Sequence, residues 1–183
     1  MNSNEIPEAP PQVTVNPFVA ADVVDILRER GWLTAQPSPE QMAWCERAAA
    51  MLGSHAADRS GLADLLALVF HYDAAELMRQ IQTHETMSRY AAREVLRQLA
   101  RLILDDGPFT SERFKEVANA LKENLEIRGR ELFHPLRLAL AGRVGEGGLD
   151  RVILLVDEAA GLGFATKVKT VRERMLEFCA ALD

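Results

Sequence analysis

Arginine carries most of the chemistry available to this sequence. In the stretch RGRELFHPLRLALAGR, four arginines (Arg128, Arg130, Arg137 and Arg143) stand against one carboxylate, Glu131. A second set, Arg89, Arg93, Arg97 and Arg101, recurs at every fourth residue. On an α-helix that spacing advances about 400°, so successive side chains drift by only about 40° and share one face. A guanidinium is a permanently charged, forked donor that matches phosphate oxygens, and it does not titrate near neutral pH. Both sets therefore point to binding of a polyanion, not to acid–base catalysis. The same spacing also gives an ordinary solvated helix face, because arginine is a good helix former.

Groups that would catalyse are scarce. The sequence has no glycine-rich nucleotide loop, no His-Glu-x-x-His and no Gly-x-Ser-x-Gly. His55, His71, His84 and His134 are scattered without metal-ligand spacing. Asp105-Asp106, just ahead of Gly107-Pro108, is a helix end and not a pair of catalytic acids, and Asp157-Glu158 adds nothing to it. Cys45 and Cys179 each fall in a helical pattern with no partner nearby, which predicts two buried thiols in a reducing cytoplasm. The expectation is a protein that is not an enzyme and needs no metal or small-molecule cofactor.

The net charge of −6 seems to argue against a polyanion partner, but it is unevenly spread. All of it lies in residues 1–107, where 9 basic side chains face 15 acidic ones; residues 108–183 hold 12 of each and every lysine. Attraction would have to come from a local patch. No apolar run approaches the roughly 20 residues of a membrane span, and the N-terminus lacks a signal-peptide pattern.

The elements that must position these arginines are helices throughout. Residues 1–15, with three prolines, form a flexible leader. Asn16-Pro17 predicts a helix start, with Val19, Val23, Ile26 and Leu27 inward and Gly31 as the stop. Ser38-Pro39 with Gln41 forms a capping box for a helix running to Gly53. Gly61 to Tyr72 is apolar nearly all round and predicts a buried helix. Asp73 caps a further helix carrying Leu77 and Ile81, a break falls at Thr83-His84-Glu85, and a new helix spans about Ser88 to Leu104 with the arginine row opposite its apolar face. Asp105 to Pro108 marks a subdomain boundary. Thr110 caps the next helix, a short turn starts at Pro135 and closes at Gly142, and two more helices follow, the last with Val168, Val171, Met175, Phe178 and Leu182 on one face. In that last helix Lys167 and Arg174 fall on one flank and Lys169 and Arg172 on the other, a solvated amphipathic helix and not a basic stripe. Trp44 reads as core, Trp32 as the tryptophan free to stack on a base, and Tyr90 lies beside the arginine row. The fold class is all-α and multihelical, with subdomains at residues 16–107 and 108–183.

The run Phe133-His134-Pro135-Leu136-Arg137-Leu138-Ala139-Leu140-Ala141-Gly142-Arg143 resembles the C-terminal anticodon-binding region of bacterial glutamyl-tRNA synthetases, which carries a segment of the form Pro-Leu-Arg-x-Ala-Leu-Thr-Gly. Pro135, Leu136, Arg137, Ala139, Leu140 and Gly142 match it, and the flanking helices agree in order. The likeness extends over most of residues 16–165 and is sharpest over 108–163. Ala141 replaces the family's threonine, Gly147-Gly148 replaces Gly-Pro in the next loop, and nothing corresponds to the ATP-binding half.

The resemblance implies two small helical subdomains, the second an anticodon cage, and a tRNA-binding or accessory role in aminoacylation. Arg128, Arg130 and Arg143 are the freer candidates for phosphate, with Arg89, Arg93, Arg97 and Arg101 as a possible second rail. Arg137 is also a candidate, although on a rigid element between Leu136 and Leu140 it reads first as a structural tie. The other reading keeps the fold as a protein-interaction module, with a separate protein partner and no RNA.

Overall fold

The structure, a computed structural model, describes residues 16–104 and 107–183. The expected flexible leader and the Asp105-Asp106 helix end lie outside the described residues. Ten α-helices and no strand occur among those described. They are α1 (Ala20–Glu29), α2 (Pro39–Leu52), α3 (Arg59–Phe70), α4 (Ala74–Leu77), α5 (Ile81–Met87), α6 (Ala92–Ile103), α7 (Ser111–Leu125), α8 (Arg130–Ala141), α9 (Gly148–Ala160) and α10 (Val171–Leu182).

Side-chain caps start five of these ten helices. The Ser38 hydroxyl accepts the Gln41 N–H at 3.1 Å while Gln41 Oε1 accepts the Ser38 N–H at 2.9 Å, closing the capping box at α2. Asp58, Asp73 and Thr110 each accept one backbone N–H at the start of α3, α4 and α7, and Thr170 with Glu173 closes a second box at α10. Asn16 Oδ1 accepts the Phe18 N–H at 3.0 Å, as a cap would, yet no helix starts there. Asn16 Nδ2 donates to the carbonyl of Ala49 at 2.8 Å, which pins the incoming chain to α2, and α1 begins only at Ala20. Val19, expected inward, is therefore exposed, and the Asp22 carboxylate serves its N–H at 2.8 Å.

Two further boundaries differ from the periodicity. Thr83 to Glu85 lie within α5; the breaks fall before it at Arg79-Gln80 and after it at Ser88 to Ala91. The apolar pattern falters because α5 buries Thr83 and Thr86, while Ile81 is left exposed. Pro135 does not open a helical turn. It sits at the sixth position of α8, where it cannot donate to the Glu131 carbonyl, and its ring is buried. Gly129, at φ +60° and ψ −138°, lets the chain turn sharply into α8.

A single hydrophobic cluster draws on helices from both expected subdomains. α2 and α3 pack on α9, α6 packs on α8, and α8 also meets α9 and α10. Trp44 is fully buried with its indole N–H on the Leu155 carbonyl at 3.1 Å, and Phe70 and Phe164 meet it edge-on. Trp32 is not free to stack on a base, since it already lies on Phe70 at 4.7 Å between ring centres. Every residue of α8 from Pro135 to Ala141 is buried, which makes the motif helix the centre of the fold.

Candidate nucleic-acid interface

The buried half of α8 is held by polar side chains whose hydrogen bonds are spent inside the fold. Arg137 forks onto Asp150, Nε to Oδ1 at 2.7 Å and Nη2 to Oδ2 at 2.9 Å, and its Nη1 donates to the Gly145 carbonyl at 2.9 Å. It thus ties α8 to the start of α9 and to the intervening loop, and its guanidinium lies 4.8 Å from the centre of the Phe133 ring. At the other end Gly142 closes α8 at φ +80°, its N–H on the Leu138 carbonyl.

Arg174 carries out the same work more deeply. It is fully buried and donates to three carbonyls, Leu140 at 3.0 Å, Val69 at 2.7 Å and Lys169 at 3.1 Å. Burial lowers its pKa to about 10, which leaves it charged at neutral pH, with the Tyr72 ring 4.8 Å away. The sequence placed Arg174 on a solvated flank, whereas it shares the buried face of Val171, Met175 and Phe178. The reason is that α10 starts at Val171, so Lys167 and Lys169 precede the helix and do not share its periodicity. Asp157, read as unremarkable, accepts the N–H of Phe109 at 2.8 Å and of Val171 at 2.7 Å, joining the starts of two distant segments to α9. Burial raises the Cys45 thiol to about 11 and keeps it protonated; Cys179 is half-buried, where full burial was expected.

The first half of α8 presents charge to solvent. Arg128 and Arg130 are exposed, and Arg130, His134 and Arg137 follow at intervals of four and three, the spacing of one helix face. Arg89 lies in the turn before α6, not on the helix with the rest of its row, and its Nη1 reaches His134 Nδ1 at 3.0 Å. A guanidinium can only donate, so Nδ1 accepts and the imidazole proton sits on Nε2. Burial holds the His134 pKa below its ordinary value, and Arg89, Arg130 and Arg137 add to that, against Glu146. The start of the arginine row and the start of the motif helix therefore meet at His134.

Two grooves flank this point. One, of about 480 Å³, runs between the start of α6 and the chain after α7 and is lined by Tyr90, Arg93, Arg97, Leu125, Ile127 and Glu131. The other, of about 690 Å³, lies between α7 and α8 and is lined by Asn119, Lys122, Glu126, Arg128 and Phe133. Leu125 and Ile127 face one groove while Glu126 and Arg128 face the other, so the segment joining α7 to α8 divides them. Arg93, Arg97 and Arg101 are exposed on α6, although Arg97 is paired with Glu94. Arg101 opens onto a third groove toward Leu182 and Asp183. Arg143 stands beyond the far end of α8, some 18 Å of helix from Arg130, in a groove with His71, Asp73 and Glu76. His134, Lys122 and Phe133 were not singled out from the sequence, yet the Arg130-His134-Arg137 spacing was a usable signal for the first.

No described helix is long and apolar enough to cross a membrane, and no cluster of His, Cys, Asp or Glu among the described residues could hold a metal ion. The sequence is 29% identical over 156 residues to a glutamate–tRNA ligase of Desulforudis audaxviator, covering 85% of this chain and 30% of the ligase. It is 36% identical over 87 residues to glutamate–tRNA ligase 2 of Syntrophus aciditrophicus, covering 47% of this chain and 16% of that protein. A glutamate–tRNA ligase 1 of Syntrophomonas wolfei is 23% identical over 155 residues, covering 85% and 29%. The chain thus spans less than a third of the length of these relatives. No solved structure matches it. Residues 16–158 match the family described as the anticodon binding domain, and with most of its length inside that match the chain belongs to this family.

Proposed function

We propose that this chain is a non-catalytic tRNA-binding module, accessory to aminoacylation. The observation that supports this reading best is the meeting of Arg89, Arg130 and His134 at the exposed start of the motif helix, between two grooves rimmed by Arg93, Arg97, Lys122 and Arg128. Phosphates engage Arg89, Arg93, Arg97, Arg128 and Arg130. Tyr90, fully exposed, stacks on an unpaired base, while Phe133 lines the larger groove with Arg137 and Lys122 over its ring. Arg137 acts as a positioning residue and Arg143 lies outside the patch.

The test is a titration of total tRNA at two salt concentrations. Five phosphate contacts give a log–log salt slope of about −4, at roughly 0.7 to 0.9 per contact. Charge reversal at Arg89 or Arg130 reduces that slope by about 1 and leaves the melting temperature unchanged. Binding weaker than about 10 μM at both salt concentrations would overturn the proposal, because non-specific contacts alone reach 10⁻⁴ to 10⁻⁶ M. A protein-docking role is the competing reading. It is favoured by the third groove, whose floor holds Leu96, Ala100, Leu104 and Leu182 beneath Arg93, Arg97 and Arg101.

A further inference from the structure

We propose that Arg89, Arg130 and His134 form a proton-coupled site for one phosphate group, so that the protein takes up a proton as it binds its polyanion. In the free protein the Arg89 guanidinium donates to His134 Nδ1 at 3.0 Å, which requires a lone pair on that nitrogen. A phosphate oxygen entering between them accepts from Arg89, and it then needs a second donor where the lone pair now points. Protonation of Nδ1 from solvent supplies that donor, and the imidazolium and guanidinium both face the anion. No covalent bond of the protein is broken, and the only atom gained besides the ligand is that proton.

The surroundings favour the neutral ring until an anion arrives. Arg89 faces His134 from the turn before α6, Arg130 and Arg137 from α8 itself, and Glu146 from the following loop. Asp150 on α9 is occupied by both prongs of Arg137, and α5, which also packs on α8, buries the uncharged Thr83 and Thr86. The ring is part-buried and beside three guanidinium groups, and its pKa is accordingly held low. A phosphate offsets part of that positive field and raises it.

The sign follows from linkage. A base whose pKa is higher in the complex gives binding that is tightest below the free-state pKa, and this gain is lost as pH rises through the bound-state pKa. A rise of about one unit makes the affinity about tenfold higher at low pH than at high pH. The site rests on the tRNA-binding reading for its natural ligand but not for its chemistry, so inorganic phosphate serves as a second probe.

The experiment follows the imidazole NMR resonances of His134 against pH in the free protein, with saturating tRNA, and with inorganic phosphate. Resonances are assigned by their loss in His134→Gln. The expected result is an upward shift of the His134 titration by about one unit in tRNA. The affinity of the wild type then falls as pH rises, by at most about tenfold, and His134→Gln loses that dependence. An unshifted His134 under saturating tRNA, or a His134→Gln protein with the full pH dependence, would overturn the proposal. If tRNA does not bind at all, the functional reading fails separately, and inorganic phosphate decides the site. A shift in phosphate sustains it and no shift overturns it. If that variant fails to fold, the His134 resonances are assigned by elimination, with the exposed His55, His71 and His84 each replaced by Gln.

Discussion

The arginines of this protein divide by what surrounds them. Arg137 and Arg174 sit among carbonyls and a carboxylate and are buried, whereas Arg89, Arg93, Arg128 and Arg130 reach solvent. A buried cation has exchanged water for fixed acceptors, so removing it strands those acceptors. Arg137→Gln therefore costs about 2 to 3 kcal/mol in urea unfolding, somewhat below the cost of breaking a fully buried pair, because Asp150 keeps partial access to water. A loss under 0.5 kcal/mol would show that the Asp150 fork contributes little. Arg137→Lys restores the charge but not the fork, and recovers only part of the loss.

At the scale of the elements, α8 depends on its ends because Pro135 weakens its middle. Gly142 holds a left-handed conformation with the Tyr72 ring only 3.4 Å from where a Cβ would be. Gly142→Ala is expected to destabilise the protein by about 1 to 2 kcal/mol, measured by thermal or urea melting. The α10 cap makes the protein acid-sensitive. The Thr170 N–H, with help from Lys167, holds the Glu173 carboxyl below its ordinary pKa. Its stabilisation is present above the unfolded-state value and is lost as pH falls through the folded one. Glu173→Gln should flatten the acid side of the stability curve, and an unchanged pH profile would remove Glu173 from that role.

These elements also show what a sequence can disclose. Capping boxes and glycine stops are local, so Ser38-Gln41, Thr110 and Gly142 were legible in it. Asn16 makes the local bond of a cap, accepting the Phe18 N–H, but its amide also reaches the Ala49 carbonyl, 33 residues away, and no helix starts there. Arg174 looked solvated because Lys167 and Lys169, which precede α10, were read as part of its helix, and because the Leu140 and Val69 carbonyls that receive it are 34 and 105 residues away. The meeting of Arg89 with His134, 45 residues apart, is of the same kind.

For the molecule as a whole, the family match stops at residue 158 while the packing does not. Val171, Met175 and Phe178 of α10 are buried in the shared core, and Arg174 holds the ends of α3 and α8. Apolar side chains of this size contribute about 1.5 to 3 kcal/mol each, so together they approach the whole stability of a typical domain, about 5 to 15 kcal/mol. A chain cut after Ala165 is expected to lose its cooperative melt in circular dichroism; a sharp transition at an unchanged temperature would contradict this. The Arg174 contacts also set an order of events at the ribosome. The carbonyls of Val69 and Leu140 are made first and must wait, tethered to a growing chain, for a donor encoded much later. The exposed arginine surface can thus mature only once α10 has emerged, and a nascent chain stalled before that point exposes an unfinished core instead.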